Sequence, residues 1–399
     1  MPDVWYTFLS TLCAQAYFAR IRMIGAERLP SSGPVLYVGL HRNGAVDGFV
    51  FKSIFRRAIF LIAAQLQKNL FSKMFFTGIP VVREKDSGDR GMNPTAMERC
   101  VELLAGGGEL FVFPEGTSTL GPQHLPFKSG AARIVVEVCN RCVPLTVVPL
   151  GITYDAPPTF RSSVEVIVGG AITEAQFARV PQEDRMAEAK QAISQALENV
   201  GINVESEEHF AKLRRIARTA SRDGSYFHAM KLCEKGIPEK LQAPWSELQE
   251  ATRAARNLRQ SEAAETFAAQ SPWISLLGGI FLAPFVTAAA ALNFLPLAGA
   301  CWAGKKFPDG PNVITLWRIL IGAPLLFLWF VTVFAGLTVA GRAAWFVVFI
   351  LLTLMGWLAY QPMRQCLVAG QNGLRFPELR RQYLKFQELL LQELGKHEL

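Results

Sequence analysis

Histidine is scarce in this chain, with five in 399 residues, and its seven cysteines are scattered. Only Cys139 and Cys142 stand in a C-x-x-C arrangement, and no second pair accompanies them. A structural zinc site wants four ligands and a disulfide framework wants paired spacings, so the thiols read as reduced and structural, and no metal is expected. A nucleotide loop is missing as well. Gly106-Gly107-Gly108 is not followed by a lysine at a helix start, so it reads as a helix terminator. No basic and aromatic residues interleave as they do in a nucleic-acid module, which removes that class of partner. The first residues lack a positive start, an apolar core and a small-residue cleavage site, so no cleaved leader is expected. The long apolar runs near the C-terminus hold only Arg318 and Arg342 as charges and no acidic relay, which argues against a transporter.

What is abundant is apolar surface and positive charge. Half of the residues are hydrophobic, and lysine plus arginine exceed aspartate plus glutamate by 41 to 33. Residues 271–399 hold ten basic and five acidic residues, a bias that suits an anionic membrane surface.

The spacing of apolar residues predicts five segments. Residues 1–24 read as an amphipathic helix, with Trp5, Phe8, Leu9, Leu12, Ala16 and Phe18 near helical period and Arg20 and Arg22 at its end. Residues 25–172 alternate short apolar runs with helical stretches, the pattern of an α/β domain. Strands are expected at 35–39, 58–63, 109–113, 145–153 and 163–168, and helices at 94–105 and 130–139. Residues 173–270 read as helical and charged. There Lys212, Arg214, Arg215, Arg218 and Arg222 form either a solvated face or a contact for lipid phosphates or an acidic acyl carrier.

Residues 271–365 read as membrane-embedded hairpins. Ile319 to Ala340 and Ala343 to Tyr360 each approach the ~20 residues that cross a bilayer, turning at Gly341-Arg342. Trp273 to Gly304 is apolar but broken near Asn293, which fits a re-entrant hairpin better than one straight helix, with a three-span topology as the alternative. An even number of crossings keeps Lys305, Lys306, Arg364, Arg375, Arg380 and Arg381 on the side of the α/β domain. Residues 366–399 form an amphipathic tail, helical from Pro377 to Leu394.

The stretch that points to chemistry is Val35 to Gly48. An apolar run ends in a loop carrying His41, and Asp47 follows six positions later. On a regular helix that interval rotates by roughly 240°, so the two side chains meet only if the chain breaks between them. Asn43-Gly44 supplies such a break, placing His41 in a loop and Asp47 near the start of the next helix. A carboxylate there would orient the imidazole as a general base.

Three later blocks accompany this pair: Gly78-Ile79-Pro80-Val81-Val82-Arg83; Phe113-Pro114-Glu115-Gly116-Thr117-Ser118; and Leu125 to Arg133 with Lys128, followed by the apolar run Val147 to Gly151. In this order and spacing they resemble the four blocks of the phospholipid/glycerol acyltransferase family over roughly residues 20–170. The resemblance implies a mixed α/β sheet flanked by helices, with His41 as base, Asp47 orienting it, and Arg83, Glu115, Gly116, Thr117, Ser118 and Lys128 at the substrate. Glu115 would hydrogen-bond acceptor hydroxyls or brace its loop through backbone N–H groups.

Five residues separate His41 from Asp47 where the family usually has four. With Asn43 and the apolar hairpins, this resembles the branch of fungal glycerol-3-phosphate and dihydroxyacetone-phosphate acyltransferases. Ser118 stands where an arginine commonly follows the threonine. The implied reaction moves a fatty acyl group from acyl-CoA or an acyl carrier protein to glycerol 3-phosphate or dihydroxyacetone phosphate, with no other cofactor. Lysophosphatidic acid is the alternative acceptor, and a non-catalytic lipid-binding scaffold is the alternative of another class. An integral membrane protein with its catalytic domain toward the cytoplasm, in a bacterial inner membrane, is the expected setting.

Overall fold

The computed structural model describes residues 4–67, 70–82, 92–178, 180–220, 224–260 and 266–396. In chain order these form α1 (Val4–Tyr17), β1 (Arg20–Ile24), β2 (Val35–Gly39), α2 (Val46–Ile54), β3 (Ile59–Ala63), α3 (Leu70–Phe75), β4 (Ile79–Val81), α4 (Met92–Ala105) and β5 (Glu109–Val112). There follow α5 (Gly130–Asn140), β6 (Thr146–Tyr154), β7 (Ser163–Val168), β8 (Ile172–Thr173), α6 (Ala175–Ala178) and α7 (Arg185–Asn199). The remainder is helical: α8 (Glu207–Ala220), α9 (Tyr226–Cys233), α10 (Glu239–Ala254), α11 (Pro272–Leu292), α12 (Phe294–Lys306), α13 (Ile314–Val339), α14 (Trp345–Arg375) and α15 (Pro377–Gly395).

The chain divides into two units. The first holds residues 1–154 and 164–205 and contains a mixed sheet in the order β1-β7-β6-β2-β5-β3-β4, with β8 also beside β6. β2 is central and parallel to both β5 and β6, while β6 and β7 are antiparallel. Because β2 is covered on both faces, its Val35-Leu36-Tyr37-Val38-Gly39 run is wholly buried and carries no polar alternation. Phe51 of α2, Phe60 of β3 and Phe111 of β5 fill one side, with ring centroids 4.5 Å apart for Phe60 and Phe111 and 4.7 Å for Phe51 and Phe111. Lys52 is buried at the end of α2, where its ammonium donates to the carbonyls of Arg56 and Ala58.

One expectation is corrected. Residues 18–23 do not continue the N-terminal helix: α1 ends at Tyr17, and Arg20–Ile24 is the edge strand next to β7, with Arg22 3.9 Å from Glu165. Strand pairing overrides the helical spacing, and Phe18, which had extended that spacing, packs on Tyr154 at 5.6 Å.

The second unit holds residues 155–163 and 206–399. The expected boundaries at 173 and 365 fall inside β8 and α14. α15 is packed along its length rather than trailing. Leu379, Tyr383, Phe386, Leu390 and Leu394 are buried, Phe386 meets Trp245 of α10 at 5.3 Å, and Gln387 donates to the carbonyl of Thr219 in α8. Asn372 ties down the end of α14 by donating to the carbonyls of Arg259 and Thr266 and accepting from the Arg259 N–H. Three helices among the described residues, Pro272–Leu292, Pro311–Val339 and Trp345–Arg375, are long and apolar enough to cross a membrane. All seven cysteines are free, and burial pushes the Cys13 and Cys100 thiols up to about 12 and Cys233 up to about 11, so these three are poor nucleophiles.

Candidate active site

Three parallel strands lie side by side as β6-β2-β5, so their C-terminal ends share one edge of the sheet. That edge gathers Leu40-His41 from β2, Phe113-Pro114-Glu115 from β5 and Tyr154 from β6. Ligand sites of α/β sheets form at such carboxyl ends because the chain leaves there in loops free to carry polar groups.

His41 Nδ1 lies 2.9 Å from Asp47 Oδ2. The six-position interval is bridged by a turn in which Gly44 takes φ +57 and its carbonyl accepts the Asp47 N–H at 3.1 Å. A side chain is strained in that left-handed region, and glycine is not. The carboxylate then folds back over the turn. Oδ2 also accepts the backbone N–H of Arg42 at 2.6 Å and of Asn43 at 2.9 Å, while Oδ1 accepts the Tyr154 hydroxyl at 2.5 Å.

Asp47 is fully buried, so this shell of donors, with the N-terminal end of α2 around it, compensates the loss of water. Tyr154 is held protonated: burial pushes its hydroxyl well above 10, and the Asp47 charge it donates to adds to the rise, against a bond from Asn43. With Nδ1 carrying the proton given to Asp47, the lone pair of the imidazole is on Nε2, the state a general base needs.

The His41 ring keeps 14% of its side-chain surface exposed and stacks on Phe113, with centroids 4.3 Å apart and planes 22° from parallel. Its backbone is fixed from the β5 loop: its N–H donates to Glu115 Oε1 at 2.9 Å, and its carbonyl accepts the Thr119 N–H at 3.1 Å. Glu115 Oε2 accepts the Leu125 N–H at 3.3 Å, so this carboxyl, only 2% exposed, has the bracing geometry. Burial raises its pKa from the ordinary 4.5, against the lowering effect of the His41 N–H bond, the Arg42 charge and the Leu125 N–H.

Gly116 turns the chain at φ +68, and the stem of Lys128 runs over it: a β-carbon on Gly116 would stand 3.4 Å from Lys128 Cε. Lys128 is exposed, and Thr117 and Ser118 are half-buried in the same loop. The structure thus brings together His41, Asp47, Glu115, Gly116, Thr117, Ser118 and Lys128. Arg83 lies outside the described residues, as does Arg222 of the basic cluster. His124 packs on Gly201 and Phe127, His209 reaches the Cys233 carbonyl at 3.4 Å, and His228 lies beside Phe227. Sequence reasoning missed Tyr154 and the inward role of Arg42, which donates to the Gly121 carbonyl and ties the His41 loop to the β5 loop.

Residues 20–153 match the family model described as Acyltransferase. This span covers the loop that carries His41 and Asp47, the β5 loop and most of the sheet. A 1-acyl-sn-glycerol-3-phosphate acyltransferase of Chlamydomonas reinhardtii is 31% identical over 148 residues, covering 35% of this chain and 42% of that protein. The chloroplastic 1-acyl-sn-glycerol-3-phosphate acyltransferase LPAT1 of Arabidopsis thaliana is 30% identical over 142 residues, 34% of this chain and 37% of that one. The chain therefore spans less than half the length of these curated relatives. Among solved structures, the 1-acyl-sn-glycerophosphate acyltransferase PlsC of Thermotoga maritima aligns over 49% of this chain and 77% of its own, at 20% identity and a TM-score of 0.36.

Proposed function

We propose that this protein is a membrane-bound O-acyltransferase that moves a fatty acyl group from a thioester to a hydroxyl of a glycerol phosphate acceptor. The observation that carries the reading is the His41–Asp47 pair at 2.9 Å, with the carboxylate held by three further donors. A glycerol hydroxyl is a weak nucleophile at neutral pH. His41 Nε2 takes its proton as the oxygen attacks the thioester carbonyl, and Asp47 stabilises the imidazolium. Collapse of the tetrahedral intermediate expels the thiolate, which takes the proton back. Proton count balances without a covalent enzyme intermediate.

Lys128 and Arg83 supply positive charge for the acceptor phosphate, Arg83 as a two-pronged donor and Lys128 as a point charge beside the Gly116 turn. Acyl-CoA or an acyl carrier protein is the donor. For the acceptor, the relatives' names favour 1-acyl-sn-glycerol 3-phosphate over the glycerol 3-phosphate or dihydroxyacetone phosphate suggested by the interval between His41 and Asp47. An acceptor that carries an acyl chain also suits a protein whose C-terminal helices are fit to lie in lipid.

The test is acyl transfer in membranes containing the protein, with labelled acyl-CoA or acyl carrier protein and each acceptor in turn. Transfer to lysophosphatidic acid is expected to exceed transfer to the other two. His41→Ala is expected to lower kcat on the order of 10² to 10⁴, the usual worth of a general base. Absence of transfer above the His41→Ala background with every donor and acceptor overturns the enzyme reading.

A further inference from the structure

By length and composition α11 counts with α13 and α14 as a helix able to cross a membrane. Its packing says otherwise. α11 runs antiparallel to α14: Pro272 lies against Gly373, Leu276 against Gly370, Gly279 against Leu367, and Phe285 and Ala289 against Gly356. α12 runs antiparallel to α13, with Gly304 against Arg318, Ala300 against Gly322 and Gly299 against Leu325. A single residue, Asn293, separates α11 from α12, so the two form a closed hairpin whose tip is at Leu292-Asn293.

The tip has a defined depth. Trp329 Nε1 donates to the Leu292 carbonyl at 2.9 Å, and Asn293 Nδ2 donates to Thr353 Oγ1 at 2.9 Å. Beyond Trp329, α13 continues ten residues to Val339, and α14 begins eight residues before Thr353. At 1.5 Å per residue the tip stops about 12–15 Å short of the α13–α14 turn. In the other direction Arg318 is eleven residues before Trp329 and Arg364 eleven after Thr353, so the tip lies about 16 Å from both cations. These two distances together match the ~30 Å hydrocarbon core and put the tip at its middle.

The chemistry of the tip fits that depth. A helix break in hydrocarbon is tolerated only where protein satisfies the freed polar groups. Asn293 is buried, it also donates to the Ala289 carbonyl at 3.0 Å, and Trp329 covers the Leu292 carbonyl. The side chains around it stay apolar and outward: Phe294 and Leu295 are 66% and 59% exposed, and Trp302 is exposed as well. Toward the ends of the hairpin, Trp273 is exposed on α11 while Lys305 and Lys306 close α12, a composition suited to a headgroup boundary.

We propose that α11 and α12 dip into one leaflet only, reach the bilayer midplane at Asn293 and return, while α13 and α14 make the two full crossings. The surface of this hairpin takes the acyl chains of the leaflet on the side where residues 271 and 376 emerge. The proposal is independent of acyl transfer.

The test uses the full chain with Cys142, Cys301 and Cys366 replaced by serine and one cysteine returned at a time, as Lys306→Cys, Phe294→Cys, Leu295→Cys or Arg342→Cys. Vesicles of each orientation are treated with a membrane-impermeant maleimide. Lys306→Cys and Arg342→Cys are expected to label from opposite faces. Phe294→Cys and Leu295→Cys are expected to label from neither face and to react fully once detergent is added. A bimane at 294 is expected to be quenched most by a nitroxide near the end of the lipid acyl chain. Labelling of 294 or 295 from the face that labels 342, labelling of 306 and 342 from one face, or strongest quenching by a headgroup nitroxide overturns the proposal.

Discussion

Tyr154 shows how much of the candidate site rests on one buried hydroxyl. Its hydroxyl is the sole side-chain donor other than His41 that the described contacts give to Asp47, and it holds Oδ1 so that Oδ2 faces the imidazole. Tyr154→Phe keeps the ring that packs on Phe18 and removes one bond to a buried charge, an interaction worth about 1.5–3 kcal/mol. Expressed in the orientation of His41, that loss lowers kcat roughly 10- to 100-fold. KM for the acceptor is expected to stay within about two-fold, because the hydroxyl binds the carboxylate and not the acceptor. Steady-state kinetics on both parameters check this; a rise in KM with kcat intact would move Tyr154 into the substrate site. None of this was legible in the sequence, where Tyr154 falls one residue past the expected strand 145–153. It reaches Asp47 only because β6 pairs with β2, a contact across 107 positions.

At the scale of elements, the loop between β2 and α2 brings His41 and Asp47 together across a six-position interval. The chain turns so that two N–H groups, from Arg42 and Asn43, end on the same oxygen that holds His41. The chain from His41 to Asp47 is thus a closed unit and not a slack linker. Gly44→Ala forces a side chain into φ +57, at a cost of about 1–2 kcal/mol, and the strain is relieved most readily by opening the turn. A lower urea midpoint together with a disproportionate loss of kcat is expected; loss of stability with kcat unchanged would show that the dyad tolerates the opened turn.

Five of the eight strands among the described residues were legible almost to the residue, since buried strands announce themselves as short apolar runs. The edge strand Arg20–Ile24 was not, because half-buried residues beside a helix keep helical spacing until a partner strand claims them. The roles at the β5 loop were only half legible. The resemblance gave Glu115 either an acceptor contact or a bracing role, but its burial, and the two N–H groups it accepts, belong to the folded loop.

Over the whole molecule, the candidate site and the long apolar helices fall in different units. The site residues all fall in the first, and the three helices long and apolar enough to cross a membrane all fall in the second. Attachment by such helices rests on hydrocarbon burial, which salt does not screen, whereas attachment by the basic excess would be lost as the Debye length shrinks to ~3 Å near 1 M salt. The protein is expected to stay in the membrane fraction through a wash at about 1 M salt and a second at alkaline pH, and to leave it only in detergent. Sedimentation followed by immunoblotting reads the outcome; release by salt alone would mean that the apolar helices are not in the bilayer.

The hairpin broken at Asn293 also changes the protein's outline in the plane of the membrane. In the topology proposed for α11 and α12, four helices occupy one leaflet and two the other, so with helices about 10 Å across one side would carry roughly 160 Å² more cross-section than its opposite. That proposed topology implies a preference for membranes that bulge toward the side on which residues 271 and 376 emerge.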